Sequence, residues 1–494
     1  MHKRLFILLS AIAAMPAMAP ALNIDNTAGH LNEAVGAEAA TIEELIVRGS
    51  IDVTDLVFID QQMSALRSLD LREASIVEYS GARVLGLTTH AGATIPARSF
   101  VGSTITSIAL PSNLMAIGDA AFAGSALESI SLSANITAMG VGCFSNCNAL
   151  KSVEINVDHL SESTFANCTA LQTVTITSST TIATGCFNGC TSLNTVNGSE
   201  KISSIGNKAF NNCSALQSFA YGSALQSIGD EAFALSGITS VDLTPCEALL
   251  SVGKYAFAFM PEVTAINLGA VPSLGEGIVM NCPKLVDFTF SSTATTVPDF
   301  AYTGNTAMDT TYMFNDNVTA IGRYALSGMS QVYAITIPEE VTEIGDNAME
   351  RLSGLKRINV PTTVVPTLGE NVWAEVEQNL VTAYVWDSML SEFEAADQWN
   401  EFDLVGVNPS GVEDAATADS GLRGRVVDGV LYIESTSKAL TSVRVYVANG
   451  QLLAATGASG LEAQVAIGHL PAQALVVAVM MADSSVASLK IATN

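Results

Sequence analysis

The sequence predicts a repeat solenoid, with one β-strand plus a helix or turn per coil, followed by a C-terminal all-β sandwich. Three observations carry that prediction. The stretch "IGNKAFNNCSALQSF" (Ile205 to Phe219) is rewritten as "IGDEAFALSGITSV" (Ile228 to Val241), 23 residues further on. A strand-like "LxxIxL" unit follows each copy, among them Leu127-Ile130-Leu132 and Leu355-Ile358-Val360. Beyond about residue 425 the repeat stops, and short apolar alternations separated by turn signals replace it. Self-similarity at a fixed period marks stacked units that cannot bury their apolar faces alone.

The first 21 residues read as a secretory signal peptide. Lys3 and Arg4 form a charged start, Leu5 to Ala14 an apolar core too short to span a bilayer, and small residues follow. Pro20 disfavours cleavage after Ala19, so Ala19 and Ala21 are taken as the small pair, with cleavage after Ala21. No later apolar run reaches the length of about 18 residues that a membrane helix needs.

Residues 91–407 are assigned to the solenoid. Aligned on the Phe of "IGxxAF", the column runs Phe100, Phe122, Phe144, Phe165, Phe187, Phe210, Phe233, Phe257, Val279, Phe300, Leu326, Met349 and Trp373. The steps are 21 to 26 residues. A Gly stands four residues earlier in nine copies, including Gly118, Gly140, Gly206, Gly229, Gly253 and Gly345. That spacing suits a backbone turn with no room for a side chain. Coils stacked in register place the rings in one internal pile and the Ile and Leu positions in a ladder.

The pattern "IGxxAFxxCxxLxxIxI" resembles the BspA-like leucine-rich repeats of bacterial surface proteins, over about residues 91 to 380. The resemblance implies a leucine-rich repeat fold, and adhesion to host extracellular proteins or other bacteria. Residues 22–90 are assigned to an N-terminal cap, because "IEELIVRGSIDVTDLVFIDQQMSALRSLDLREASI" (Ile42 to Ile76) resembles the family's cap. Val364 to Phe402 resembles its terminal coil, a short strand and then a helix ending in "ADQWNEF". There Phe393, Ala396 and Trp399 recur at helical spacing and are read as core packing that seals the last coil.

Residues 408–424, "NPSGVEDAATADSGLRG", form a small polar linker. In residues 425–494 about seven short strands and the hairpin cue Asn449-Gly450 point to a β-sandwich. This region resembles the C-terminal sorting domains of type IX secretion, through "VANGQLL" (Val447 to Leu453) and the late Lys490. The family's "LPxGxY" is here "LPAQALV", with Gln473 for Gly and Leu475 for Tyr. Export beyond the outer membrane is what this resemblance implies.

Eight cysteines in an exported chain raise the question of disulfides. Cys147, Cys168, Cys190, Cys213 and Cys282 lie three residues after the column residue, while Cys143 and Cys186 immediately precede it. Other copies carry Ala or Ser at the position that Cys143 and Cys186 occupy, and Cys substitutes for small buried residues, so free buried thiols are the favoured reading. A disulfide ladder between coils and a metal ladder are the alternatives.

The balance of 21 Lys+Arg against 48 Asp+Glu, net −27, argues against nucleic-acid binding. Residues 339 to 414 hold 16 acidic and 3 basic residues, read as a solvated face. No GxSxG, HExxH, P-loop or EF-hand loop occurs, and His30, His90, His159 and His469 are scattered. No enzyme, cofactor or metal is therefore expected.

What remains is the outward face of the strands. One column carries Ser129, Ser152, Thr173, Thr195, Ser218 and Ser240. The other carries Ser131, Glu154, Thr175, Asn197, Asp242 and Asn267. This flat, hydroxyl-rich face lacks aromatic platforms, so an extended protein partner fits it better than a glycan does. The function expected is a non-catalytic protein-binding or adhesion surface, secreted or displayed at the outer membrane. A self-packing scaffold of the cell envelope, with the periplasm as its compartment, is the alternative.

Overall fold

The computed structural model describes residues 21–308, 314–407, 422–427, 430–435, 438–447, 452–467, 473–481 and 486–493. The expected signal core, the "NG" hairpin turn and most of the linker lie outside the described residues. The chain divides into two units, Met1–Ile202 with Asn212–Ala215, and Ser203–Asn211 with Leu216–Asn494.

The first unit opens on the strands Leu22–Asn26 and Glu44–Ile51, paired in parallel, and the helix Val53–Gln62. Asp52 caps that helix through a bond to Thr54 N–H, and Asp55 completes the capping box. The buried Asp55 carboxylate also accepts the amides of Gly29 at 2.8 Å and Leu31 at 3.0 Å, fixing the entry loop on the helix start.

Coils then stack in parallel register. Ser129–Leu132, Ser152–Ile155, Thr173–Ile176 and Thr195–Asn197 form one sheet, with Ile130, Val153 and Val174 facing inward. A shorter ladder runs through Thr94–Ile95, Ala116–Ile117 and Ala138–Met139. In the second unit the same design gives the sheets Ser240–Asp242, Ala265–Asn267, Asp287–Thr289 and Ala334–Thr336, Arg357–Val360, Thr382–Trp386, Asp403–Val407. Turns close the coils: among the described residues no α-helix lies between Gln62 and Leu390.

Inside each unit the column aromatics pile up as the period requires. Phe100, Phe122, Phe144, Phe165 and Phe187 stack with centroids 5.1 to 5.5 Å apart. In the second unit Phe210, Phe233 and Phe257 stack at 5.4 and 5.7 Å. Each ring is fully buried, which stabilises the fold by about 1.5–3 kcal/mol apiece. The glycine four residues earlier is a close approach between coils. A Cβ on Gly118 would meet Ala97 N at 2.4 Å.

One column assignment is corrected. Phe300 is only half-buried, at φ 60°, and stacks on Tyr324, while Tyr302 is completely buried. Val279 N–H donates to Ala301 O and Tyr302 N–H to Ala325 O, the bonds that Phe233 and Phe257 make to their next coils. Tyr302 therefore holds the column. The physical reason is that Phe300 sits at a left-handed turn position, from which its ring cannot enter the core. The neighbouring steps become 23 and 24 residues, and the irregular step of 26 disappears.

Phe393 and Trp399 are buried at the end of the stack, and Ala396 is half-buried. Trp373 meets Trp399 at 5.6 Å and Phe402 at 5.0 Å, both edge to face. The C-terminal region is two antiparallel sheets. Leu422–Val427, Val430–Ser435 and Glu462–Ala466 form one, and Leu452–Gly460, Leu440–Val447, Gln473–Met481 and Val486–Thr493 the other. Leu431, Ile433, Val443, Val465 and Val477 share their common core. The first strand begins at Leu422, so it takes in residues that composition assigns to the linker.

Candidate functional site

The outward strand positions are brought together as the alternation predicts, separately in each unit. In the first, Ser129, Ser152, Thr173 and Thr195 lie abreast, and Ser131, Glu154, Thr175 and Asn197 form the next row. Ser129, Ser131, Ser152, Glu154 and Asn197 are exposed, and the three threonines are half-buried. Ser131 Oγ donates weakly to Glu154 Oε2 at 3.4 Å, and Asn197 Nδ2 reaches Thr175 Oγ1 at 3.5 Å. In the second unit Ser240 pairs with Ala265, and Asp242 with Asn267.

Ser218 is exposed but lies outside any strand. The inward slots of its coil hold Phe219 and Tyr221, where most coils have Ile, Val or Leu, and the coil of Asp287–Thr289 has Phe288 and Phe290. Their rings turn edge-on to Phe233, at 5.0 and 5.7 Å. This coil forms no strand and so adds no row to the face.

The face of the first unit carries a depression that the sequence does not announce. Ser107–Ala109 pairs backward with Ser68–Asp70, whereas Ser129–Leu132 pairs only forward, so the sheet is interrupted between them. Over this break lies a groove of about 740 Å³. Ser129, Ser131, Ser152, Glu154 and Thr175 line it, with Ile108, Ile130 and Ile136 on the apolar side. Arg72 is its one cation. Its guanidinium holds Asp70 at 2.5 Å and keeps that carboxyl below its ordinary range. The signal for Arg72 was present in "LDLREAS", but only the broken sheet places it beside the serines.

The cysteines are not at this face. All eight are free and buried. Cys147, Cys168, Cys190, Cys213 and Cys282 donate their S–H to the carbonyl of the previous coil's column Phe, at 3.1 to 3.3 Å. Asn305 does the same with its Nδ2, reaching Val279 O at 2.9 Å. Met260, Met329 and Leu352 fill the same buried position in other coils, so these cysteines act as packing residues whose S–H finds a carbonyl. Among the described residues no group of His, Cys, Asp or Glu could hold a metal ion, and no helix is long and apolar enough to cross a membrane.

Comparison with known proteins agrees with this geometry. The family model of the BspA type leucine rich repeat region matches six copies over residues 90–194, 180–309 and 250–381, more than half of the chain. This is a repeat family. No curated protein sequence matches significantly. Among solved structures, a leucine-rich repeat protein from Bacteroides ovatus is similar at 18% identity and TM-score 0.52, over 75% of this chain and 85% of its own. The pneumococcal vaccine antigen PcpA aligns at 15% identity and TM-score 0.38, over 74% and 79%. A leucine rich cell surface protein from Faecalibacterium prausnitzii aligns at 22% and 0.30, over 51% and 83%. The first of these likenesses is one of fold.

Proposed function

Because this chain belongs to the BspA-type leucine-rich repeat family, we propose that it is an exported, non-catalytic protein-binding surface. It is displayed or secreted, and it adheres to proteins of a host or of neighbouring cells. The observation that carries this reading is the hydroxyl-rich face in register, with its groove of about 740 Å³. Side chains this short keep main chain and partner close, and the groove's apolar side gives an extended segment something to bury. The charged start and apolar core of the first 21 residues support export, and the sandwich's likeness to sorting domains supports passage across the outer membrane.

The test is localisation followed by binding. An epitope tag in the solenoid is probed on intact cells, in outer membranes and in the medium, and label at the surface or in the medium is expected. Confinement to the periplasm would remove adhesion and favour an envelope scaffold. Ser152→Arg, Thr175→Arg and Asp242→Arg together should weaken saturable capture of the protein partner, with circular dichroism unchanged.

A further inference from the structure

The closing turns follow a rule that the sequence hides. In every coil, the residues two before and two after the column position adopt positive φ, from Arg98 and Gly102 to Asn371 and Glu375. The later position is Gly or Asn in nine of thirteen coils, as left-handed backbone favours. Arg351 and Glu375 also occupy it and pair with each other at 2.9 Å. The two remaining occupants break the rule without such a partner. Leu235 (φ 60°) and Phe259 (φ 58°) sit on successive coils, 48% and 40% exposed. Exposed apolar side chains on strained backbone cost stability twice.

The earlier position of nearby coils collects aromatics. Tyr255 lays its ring over Gly277, where a Cβ would come 2.2 Å from Cε1, and its hydroxyl donates to Glu276 at 2.7 Å. Phe300 and Tyr324 stack at 5.0 Å with their planes 4° apart. Tyr, Phe and Arg323 thus gather on the turn side of the second unit, the residue types that dominate protein interfaces. The cations here are already paired, Lys254 with Glu276 and Arg323 with Asp299. Asp230 makes no ion pair among the described residues.

We infer that Leu235, Phe259, Tyr255, Phe300 and Tyr324 form a second docking surface, whose occupant is a protein presenting apolar side chains ringed by Lys or Arg. The inference rests on the protein-binding reading above and adds to it a surface and a partner chemistry. Two features select that occupant. Leu235 and Phe259 present exposed aliphatic and aromatic surface, whose burial against apolar side chains of a protein is favourable. The unpaired Asp230 and the chain's net charge of −27 favour a basic partner and repel a second copy of this acidic chain.

The probe is a phage-displayed library of random dodecapeptides, panned on the whole chain. Peptides rich in aromatic or aliphatic residues with Lys or Arg should be enriched. Their binding should fall at least tenfold on Leu235→Asn with Phe259→Asn and hold on Ser152→Arg with Thr175→Arg. Because Asn tolerates left-handed backbone, the double Asn variant should melt no lower than the parent. Peptides lost only on the Arg variant would overturn this surface and leave the protein-binding reading standing. No enrichment at all would count against both. A lower melting temperature in the Asn variant would show that the two side chains hold the fold, and would also overturn the inference.

Discussion

Oδ1 of Asp230 accepts the backbone amide of Lys254, 2.8 Å away and one coil further along. The same bond joins Asp119 to Val141, Asn207 to Asp230, Asp299 to Arg323 and Asp346 to Glu370, at 2.7 to 2.8 Å. Each satisfies an amide at the start of a turn and ties one coil to the next. Asp230→Ala should therefore lower stability by about 1 kcal/mol, and Asp230→Asn by much less, since Asn207 already fills the role. Urea denaturation measures this as a shift in midpoint with unchanged slope. Equal losses for Ala and Asn would show that the charge, and not the bond, matters.

The glycine column predicts a steeper response. A Cβ on Gly140 would lie 2.2 Å from Asp119 N and 2.4 Å from Gly118 C, both backbone. The coils would have to part, at the expense of the 2.7 Å bond from Gly140 N–H to Ile117 O. Gly140→Ala should cost about 3 kcal/mol. Gly124→Ala, at φ 68° with nothing within 4 Å, should cost only about 1 kcal/mol of backbone strain. Thermal melting of the two variants separates crowding from conformation.

The contrast between these glycines also shows what the sequence could and could not convey. Period, ring stack and strand face were readable because each depends on one residue type repeated at one offset. Phe300 stands out in the sequence because the column is aligned on phenylalanine, although Ala301 before Tyr302 matches Ala121 and Ala209. The Asp ladder was visible as "GD" and "GN", yet its meaning depends on a partner amide more than 20 residues away. Arg72 at the groove and the aromatics at left-handed positions were illegible for a different reason. A broken sheet and a sign of φ have no fixed residue signature.

Tyr221 supplies a prediction of the opposite sign. Its hydroxyl is buried with no hydrogen-bond partner among the described residues, and burial pushes its pKa well above the ordinary 10.0. The ring meanwhile packs edge-on against Phe233 and Phe257. Tyr221→Phe keeps that packing and removes an unpaired polar atom, so it should raise stability by about 1 kcal/mol. Tyr221→Ala, which opens a cavity, should lose about 3–5 kcal/mol. Chemical denaturation of both variants tests the assignment, and a destabilised Phe variant would mean that the hydroxyl has a partner.

The buried thiols set an alkaline limit on the fold. Burial pushes Cys143, Cys190 and Cys282 up to about 12, and Cys186 and Cys213 well above the ordinary 9.0. The folded chain therefore holds these protons more tightly than the unfolded chain does. Their contribution is fully present below pH 9 and is lost as pH rises from 9 through the folded values near 12. Each such thiol steepens the fall by about 1.4 kcal/mol per pH unit in that window. Urea midpoints at pH 8, 9.5 and 10.5 should decline, and Cys190→Ala with Cys282→Ala should flatten the decline even though they lower stability at pH 8. A thiol reagent at pH 8 should leave Cys143, Cys186, Cys190, Cys213 and Cys282 unmodified in the native chain and label all eight cysteines in denaturant. Rapid labelling of the native chain would show that these side chains open to solvent, and would place the stack's weakest point at the coil that reacts first.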